Sequence, residues 1–184
     1  MRFQGRAVTL KDGRTALLRA PVPERDAAPM VRYLPEVMGE THFMLRYPEE
    51  QKLTEEKERG ILERSLDNED EMLILCEMDG QIVGSSHISF MAGRIKTRHR
   101  ATVGIALRKA CWNQGIGTAM MRELIAAARQ REGVEQIELQ YIEGNARARA
   151  LYEKLGFRVA GIFPDAIKLK DGTMLNEYHM ILKL

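Results

Sequence analysis

The stretch Cys111-Trp112-Asn113-Gln114-Gly115-Ile116-Gly117-Thr118 puts two glycines and no acid where the apolar spacing predicts a helix to begin. Helix starts ordinarily carry Ser, Thr, Asp or Asn as a cap, and often an acid in the first turn, because the exposed amides there are partly positive. From Val103 through Arg122 there is no carboxylate, and Arg108 and Lys109 lie just upstream. Amides left open in this way suit an anion, since glycine admits a phosphate to the backbone and the helix dipole favours negative charge. Phosphate or pyrophosphate is the natural ligand. The competing reading is that Gly115 and Gly117 only permit close packing of helix on sheet. Two nucleotide motifs are excluded: Met120 stands where the dinucleotide fingerprint needs its third glycine, and no Gly-Lys-Ser or Gly-Lys-Thr follows to make a P-loop. A pyrophosphate-bearing cofactor held by another fold is left.

Composition bounds what surrounds this turn. A chain of 184 residues, 45% hydrophobic, is long enough for one domain with a proper core and short for two, so residues 1–184 are expected to form a single domain. Lys plus Arg (28) nearly balances Asp plus Glu (26), and a net charge of +2 argues against nucleic-acid binding through bulk electrostatics. The N-terminal stretch lacks an apolar signal region, and no apolar run is long enough to span a bilayer, so no membrane partner is expected. The two cysteines, Cys76 and Cys111, lack the spacing of a metal or redox pair, and no metal site is expected. These features fit a soluble cytoplasmic protein.

The elements that must position the turn follow from periodicity. Thr15–Arg19 reads as a strand after Lys11-Asp12-Gly13-Arg14, and residues 24–39 as a helix interrupted by Pro29 and Pro35. A second helix starts near Leu53 with Thr54 as its cap and ends before Asn68. Residues 72–78 and 81–91 flank Asp79-Gly80 as a hairpin, and Thr97–Leu107 alternates as a strand feeding the glycine turn. Residues 115–132 then give an amphipathic helix, 137–141 a strand, and Asn145 the cap of a helix stopped by Gly156. A closing hairpin turns at Asp171-Gly172, giving the order β-α-α-β-β-β-α-β-α-β-β.

Three blocks resemble the Gcn5-related N-acetyltransferase (GNAT) family. Trp112-Asn113-Gln114-Gly115-Ile116-Gly117 resembles its acetyl-CoA motif, usually Gln or Arg, two residues, Gly, one residue, Gly or Ala, with Trp112 departing at the first position. Asn145 to Phe157 resembles its N-x-x-A-x-x-L-Y-E-K-x-G-F block, and Asp79-Gly80-Gln81-Ile82-Val83-Gly84 its hairpin. The resemblance extends over nearly the whole chain and implies an α/β (α+β) single-domain fold. In it a mixed, mostly antiparallel sheet of about six to seven strands, flanked by about four helices, splays at the cofactor cleft. It implies that the amides of Asn113, Gln114, Gly115, Ile116, Gly117 and Thr118 hold the pyrophosphate of coenzyme A. Ile105 and Leu107 would then pair with the pantetheine arm, and Asn145 would contact it. The walls of the gap would be Thr102–Leu107 and Ile137–Tyr141, where sheet pairing fails.

The implied reaction is direct attack of an amine on the thioester of acetyl-CoA, with no covalent enzyme intermediate. Tyr152 matches the family tyrosine proposed to protonate the departing thiolate. A phenol of pKa about 10 holds its proton at neutral pH yet lies near a thiol's ~8.5. The bland reading is a core tyrosine on the apolar stripe of Leu151 and Leu155. Many relatives carry a glutamate on the strand before the turn, but His99-Arg100-Ala101-Thr102-Val103-Gly104 has no carboxylate; Glu138, Glu143, His87 and Glu40 remain candidates for the base. The basic run Arg94, Lys96, Arg98, His99 and Arg100 is most simply a solvated strand edge. By resemblance, the segment between the first two helices shapes the acceptor site, where Glu40 and Phe43 suit an amine head and an apolar body. The acceptor is a small amine such as an amino acid or polyamine, or a protein N-terminus; a homodimer is an open option. The alternatives are an acyl-CoA-binding sensor without catalysis and a purely structural module.

Overall fold

The computed structural model describes residues 3–184. Eight strands and four α-helices follow one another as β1 (Arg6–Thr9), β2 (Thr15–Arg19), α1 (Pro23–Gly39), α2 (Glu55–Asp67), β3 (Glu71–Met78), β4 (Gln81–Phe90), β5 (Arg100–Leu107), α3 (Ile116–Gln130), β6 (Gln136–Ile142), α4 (Ala146–Lys154), β7 (Arg158–Lys168) and β8 (Met174–Lys183). The hydrogen-bonded strand order is β1-β2-β3-β4-β5-β6-β8-β7. Strands β5 and β6 run parallel, which needs a crossover, and α3 is that crossover. The chain falls into two compact units: one runs through Ser89 and takes up Gly104–Leu124, the other comprises Phe90–Val103 and Ile125–Leu184.

In the first unit, β1 to β4 form antiparallel ladders, with β3 and β4 turning at Asp79-Gly80, both at positive φ. Helix α1 lays Met30, Tyr33 and Val37 against Leu75 and Ile82, with Leu34, Leu73 and Ala106 packed alongside. This helix is continuous, so the expected interruption at Pro29 and Pro35 does not occur. Each internal proline costs about 3 kcal/mol, but each fully buried Met or Val returns about 1.5–3 kcal/mol, and Tyr33 adds its own burial. The N-terminus of α1 is locked by charge. Asp26, 1% exposed, accepts from the Val22 amide at 2.6 Å and from Arg19 at 2.6 and 2.8 Å, while Arg19 also reaches Glu77 at 2.7 Å. Thr54 caps α2 as expected, its hydroxyl accepting from the Lys57 amide.

In the second unit, β6 pairs with β8 along its length and β8 with β7, both antiparallel. The β5–β6 ladder is short, joining Arg100–Thr102 with Gln136–Glu138. Ile137, Leu139 and Tyr141 turn inward along β6, while Gln136, Glu138 and Gln140 alternate with them on the less buried face. Two differences from the sequence reading are local. Strand β1 was not expected, and β5 begins at Arg100 because residues 94–98 fold into a turn, with the amides of Thr97 and Arg98 both bonded to the Arg94 carbonyl.

Candidate active site

The glycine turn is built from the end of β5 and the start of α3, all within the first unit. A short 3-10 turn at Lys109–Cys111 leads into Asn113 at φ 63° and Gly115 at φ 95°. Two left-handed residues this close together bend the backbone sharply just before the helix, the kind of turn in which neighbouring amides can converge on an anion. The first main-chain bond of α3 runs from the Ala119 amide to the Gly115 carbonyl. Among the described residues, the six amides of Asn113 to Thr118 donate to no protein acceptor, and α3 has no acid in its first turn. Among the described residues, a Cβ built on Gly115 meets nothing within 4 Å, so the space beside that residue is open. These are the properties a pyrophosphate requires. A packing role for Gly115 does not fit that open space.

Neighbouring side chains brace the turn. The Trp112 indole donates to the Leu107 carbonyl at 2.9 Å, so the residue that departs from the family pattern holds the loop closed. That bond occupies one lone pair of the Leu107 carbonyl, a group expected to face the pantetheine arm. Gly84 on β4 makes room for the Leu107 side chain, since a Cβ there would fall 2.3 Å from its Cδ2. Tyr33 donates to the Ala106 carbonyl at 2.9 Å. Arg108 lies 5.7 Å over the Tyr33 ring and pairs with Glu36. Glu40 accepts from the Lys109 amide at 2.6 Å, so this carboxylate binds the approach to the turn. Phe43 is half-buried in the segment after α1, 4.1 Å from the His42 ring centroid.

The second unit holds Asn145 and Tyr152. Asn145 caps α4, its Oδ1 accepting from the Ala148 amide at 3.2 Å. Tyr152 is 7% exposed, its ring tilted against Tyr141 at 6.4 Å and Phe157 at 6.0 Å. Burial pushes its pKa up to about 12, so the hydroxyl is a proton donor at any physiological pH. Of the carboxylates considered as a base, Glu138 is held by Arg100 and by Gln136 Nε2 at 2.7 Å, and those bonds keep its pKa below the ordinary value. Glu143 accepts from the Asn176 amide at 3.0 Å. No group of three or more His, Cys, Asp or Glu able to hold a metal occurs among the described residues. None of the helices described there is long and apolar enough to cross a membrane.

The model of the acetyltransferase (GNAT) family matches residues 37–157, and the chain belongs to that family. It is 32% identical over 108 residues to the L-amino acid N-acetyltransferase AaaT of Escherichia coli (strain K12), covering 59% of this chain and 65% of that one. It is 36% identical over 64 residues to the Bacillus subtilis (strain 168) protein YxbD, spanning 40% of it. A GNAT-family acetyltransferase structure from Streptococcus pneumoniae superposes with a TM-score of 0.85 at 27% identity, covering 92% of this chain and 99% of that one. The fold is also that of YncA from Salmonella typhimurium, solved with its cofactor acetyl-CoA, with a TM-score of 0.76 at 19% identity over 91% of this chain and 92% of that one. The open mixed sheet agrees with the expected fold class, with eight strands in place of six or seven.

Proposed function

We propose that the protein is an acetyl-CoA-dependent N-acetyltransferase whose acceptor is the primary amine of a small molecule, a free amino acid foremost. The carrying observation is that, among the described residues, the amides from Asn113 to Thr118 on an acid-free turn have no protein acceptor and nothing fills the space beside Gly115. The named activity of the Escherichia coli relative supports an amino-acid acceptor over a polyamine or a protein N-terminus. Acetyl-CoA supplies a thioester carbonyl that an amine can attack without activation by a metal.

Asn113 to Thr118 bind the pyrophosphate, exchanging water for amides already fixed in place, so little ordering is lost on binding. Backbone groups of Ile105 and Leu107 orient the pantetheine arm, for which Leu107 offers its amide while its carbonyl serves Trp112. Asn145 contributes through its amide nitrogen, its oxygen being engaged in the cap. Tyr152 donates a proton to the departing sulfur. Against a thiol of pKa ~8.5, a phenol near 12 is the weaker acid, so it acts as a hydrogen-bond donor through most of the step, and its proton stays on sulfur only as solvent resupplies the phenol. Glu40 and Phe43 border the acceptor.

The test is release of free thiol from acetyl-CoA in the presence of each L-amino acid, common polyamines and short peptides. Turnover with amino acids supports the reading. Tight binding of acetyl-CoA without turnover would make the protein a sensor, and absence of binding would leave a structural module.

A further inference from the structure

The residues able to take a proton from an amine separate sharply once their partners are known. Glu40, Glu138 and Glu143 each already accept a hydrogen bond, from Lys109, Arg100 with Gln136, and Asn176 respectively. His87 is different. Neither of its ring nitrogens has a hydrogen-bond partner among the described residues, and it sits on β4 directly across from Leu73. Leu73 and Ala106 pack onto the cluster under α1, so His87, opposite Leu73, and Gly104, two residues before Ala106, lie on that face of the sheet, with His87 still exposed to solvent. Its ring lies on Gly104 of β5. A Cβ at Gly104 would stand 2.5 Å from the His87 Cε1 and 3.2 Å from each ring nitrogen, so any other residue there would displace the imidazole. Gly104 immediately precedes Ile105, the residue assigned to the pantetheine arm.

We propose that His87 is the catalytic base that accepts the acceptor nitrogen's proton, and that Gly104 is its positioning residue; this rests on the acetyltransferase reading. The lone pair of the free amine attacks the thioester carbonyl and the C–N bond forms. One nitrogen proton passes to the neutral His87 imidazole as the C–S bond breaks. The electron pair stays on sulfur, which takes a proton from Tyr152. His87 then releases its proton to solvent and Tyr152 regains one, so atoms and charge balance. Partial shielding of the ring, which still meets solvent, lowers the His87 pKa below its ordinary 6.5, opposed by the Glu71 carboxylate on β3. Glu71 is the one charge among the described residues that acts on the ring; α1 presents the Tyr33 hydroxyl, already donated to Ala106, and β5 presents Gly104. His87 is therefore neutral at pH 7, as a base must be.

The experiment compares the parent with His87→Gln and Gly104→Ala. Acetyl-CoA consumption is followed from pH 5 to 9 with each L-amino acid and with water alone as acceptor. In the parent, log kcat/KM falls with unit slope as pH drops below the amine's pKa and steepens by a further unit as pH drops through the His87 pKa, below 6.5. His87→Gln should lose about 10²- to 10⁴-fold in kcat and lose the acid limb, keep the amine limb and the acetyl-CoA affinity, and recover rate with added imidazole. Independently of turnover, imidazole proton resonances resolve the four histidines; the one missing in His87→Gln should titrate below 6.5 in the parent and move in Gly104→Ala. An unchanged rate and acid limb in His87→Gln, with the parent active, would overturn the role of His87 alone. A parent that neither binds nor consumes acetyl-CoA would overturn the acetyltransferase reading and His87 with it.

Discussion

Replacing Gly115 by alanine separates what the backbone of the turn costs from what it binds. Gly115 sits at φ 95°, and a Cβ there touches nothing within 4 Å. The empty protein therefore loses only the penalty of a side chain in a left-handed conformation, about 1–2 kcal/mol. At about 2–4 °C per kcal/mol for a chain of this size, Tm should drop by about 2–8 °C. The new methyl stands in the open space over the turn, and relaxation of φ swings neighbouring amides out of line. One charge-assisted hydrogen bond, about 1.5–3 kcal/mol, is enough to weaken acetyl-CoA about 10- to 100-fold. Differential scanning fluorimetry reads both terms. At about 100 times the parent's Kd the ligand stabilises the parent by about 2.7 kcal/mol, whereas the variant at the same concentration gains only about 0.4–1.4 kcal/mol. An equal ligand-induced shift in both proteins would refute the cradle.

Tyr152→Phe keeps the contacts with Tyr141 and Phe157 and should lower kcat by about 10²-fold, less with an acyl donor whose thiol is more acidic; a parental rate with both donors returns the residue to a packing role. Glu40→Gln still offers the Lys109 amide a neutral acceptor, so acceptor KM should rise while acetyl-CoA affinity holds; the reverse pattern in steady-state kinetics would assign Glu40 to the turn alone. Asp26→Asn should cost about 3 kcal/mol in chemical denaturation at pH 7, because it unpairs the buried Arg19 from its nearest carboxylate. Burial raises the Asp26 pKa, but the bonds from Arg19 and Val22 outweigh it and leave it below 3.8. Its contribution is thus complete above pH about 4 and lost as pH falls through the lower folded value, where parent and variant should converge.

What could be read from the sequence was whatever depends on local chemistry. The Asp79-Gly80 and Asp171-Gly172 turns, the Thr54 and Asn145 caps and the acid-free glycine turn each declare themselves within a few residues, and each stands where expected. Features set by distant partners stayed hidden. Arg6–Thr9 is a strand only because Leu18 and its neighbours pair with it, and with Val8 its most shielded residue it carries no apolar alternation of its own. Pro29 and Pro35 signal a break that packing overrules. The four base candidates, three glutamates and a histidine, could not be ranked from residue type; what distinguishes them is which have already been claimed by Lys109, Arg100 or Asn176. The contact of His87 with Gly104 comes from two strands lying side by side, and a glycine kept for a neighbour's ring looks in the sequence like any other glycine.

Trp112 is the chain's sole tryptophan, and its indole is anchored at the mouth of the glycine turn. All tryptophan emission therefore originates from one fixed position beside the proposed nucleotide bed. The protein carries its own optical reporter there: quenching or a spectral shift on mixing with acetyl-CoA tracks arrival at that turn in real time, without a label and without knowledge of the acceptor.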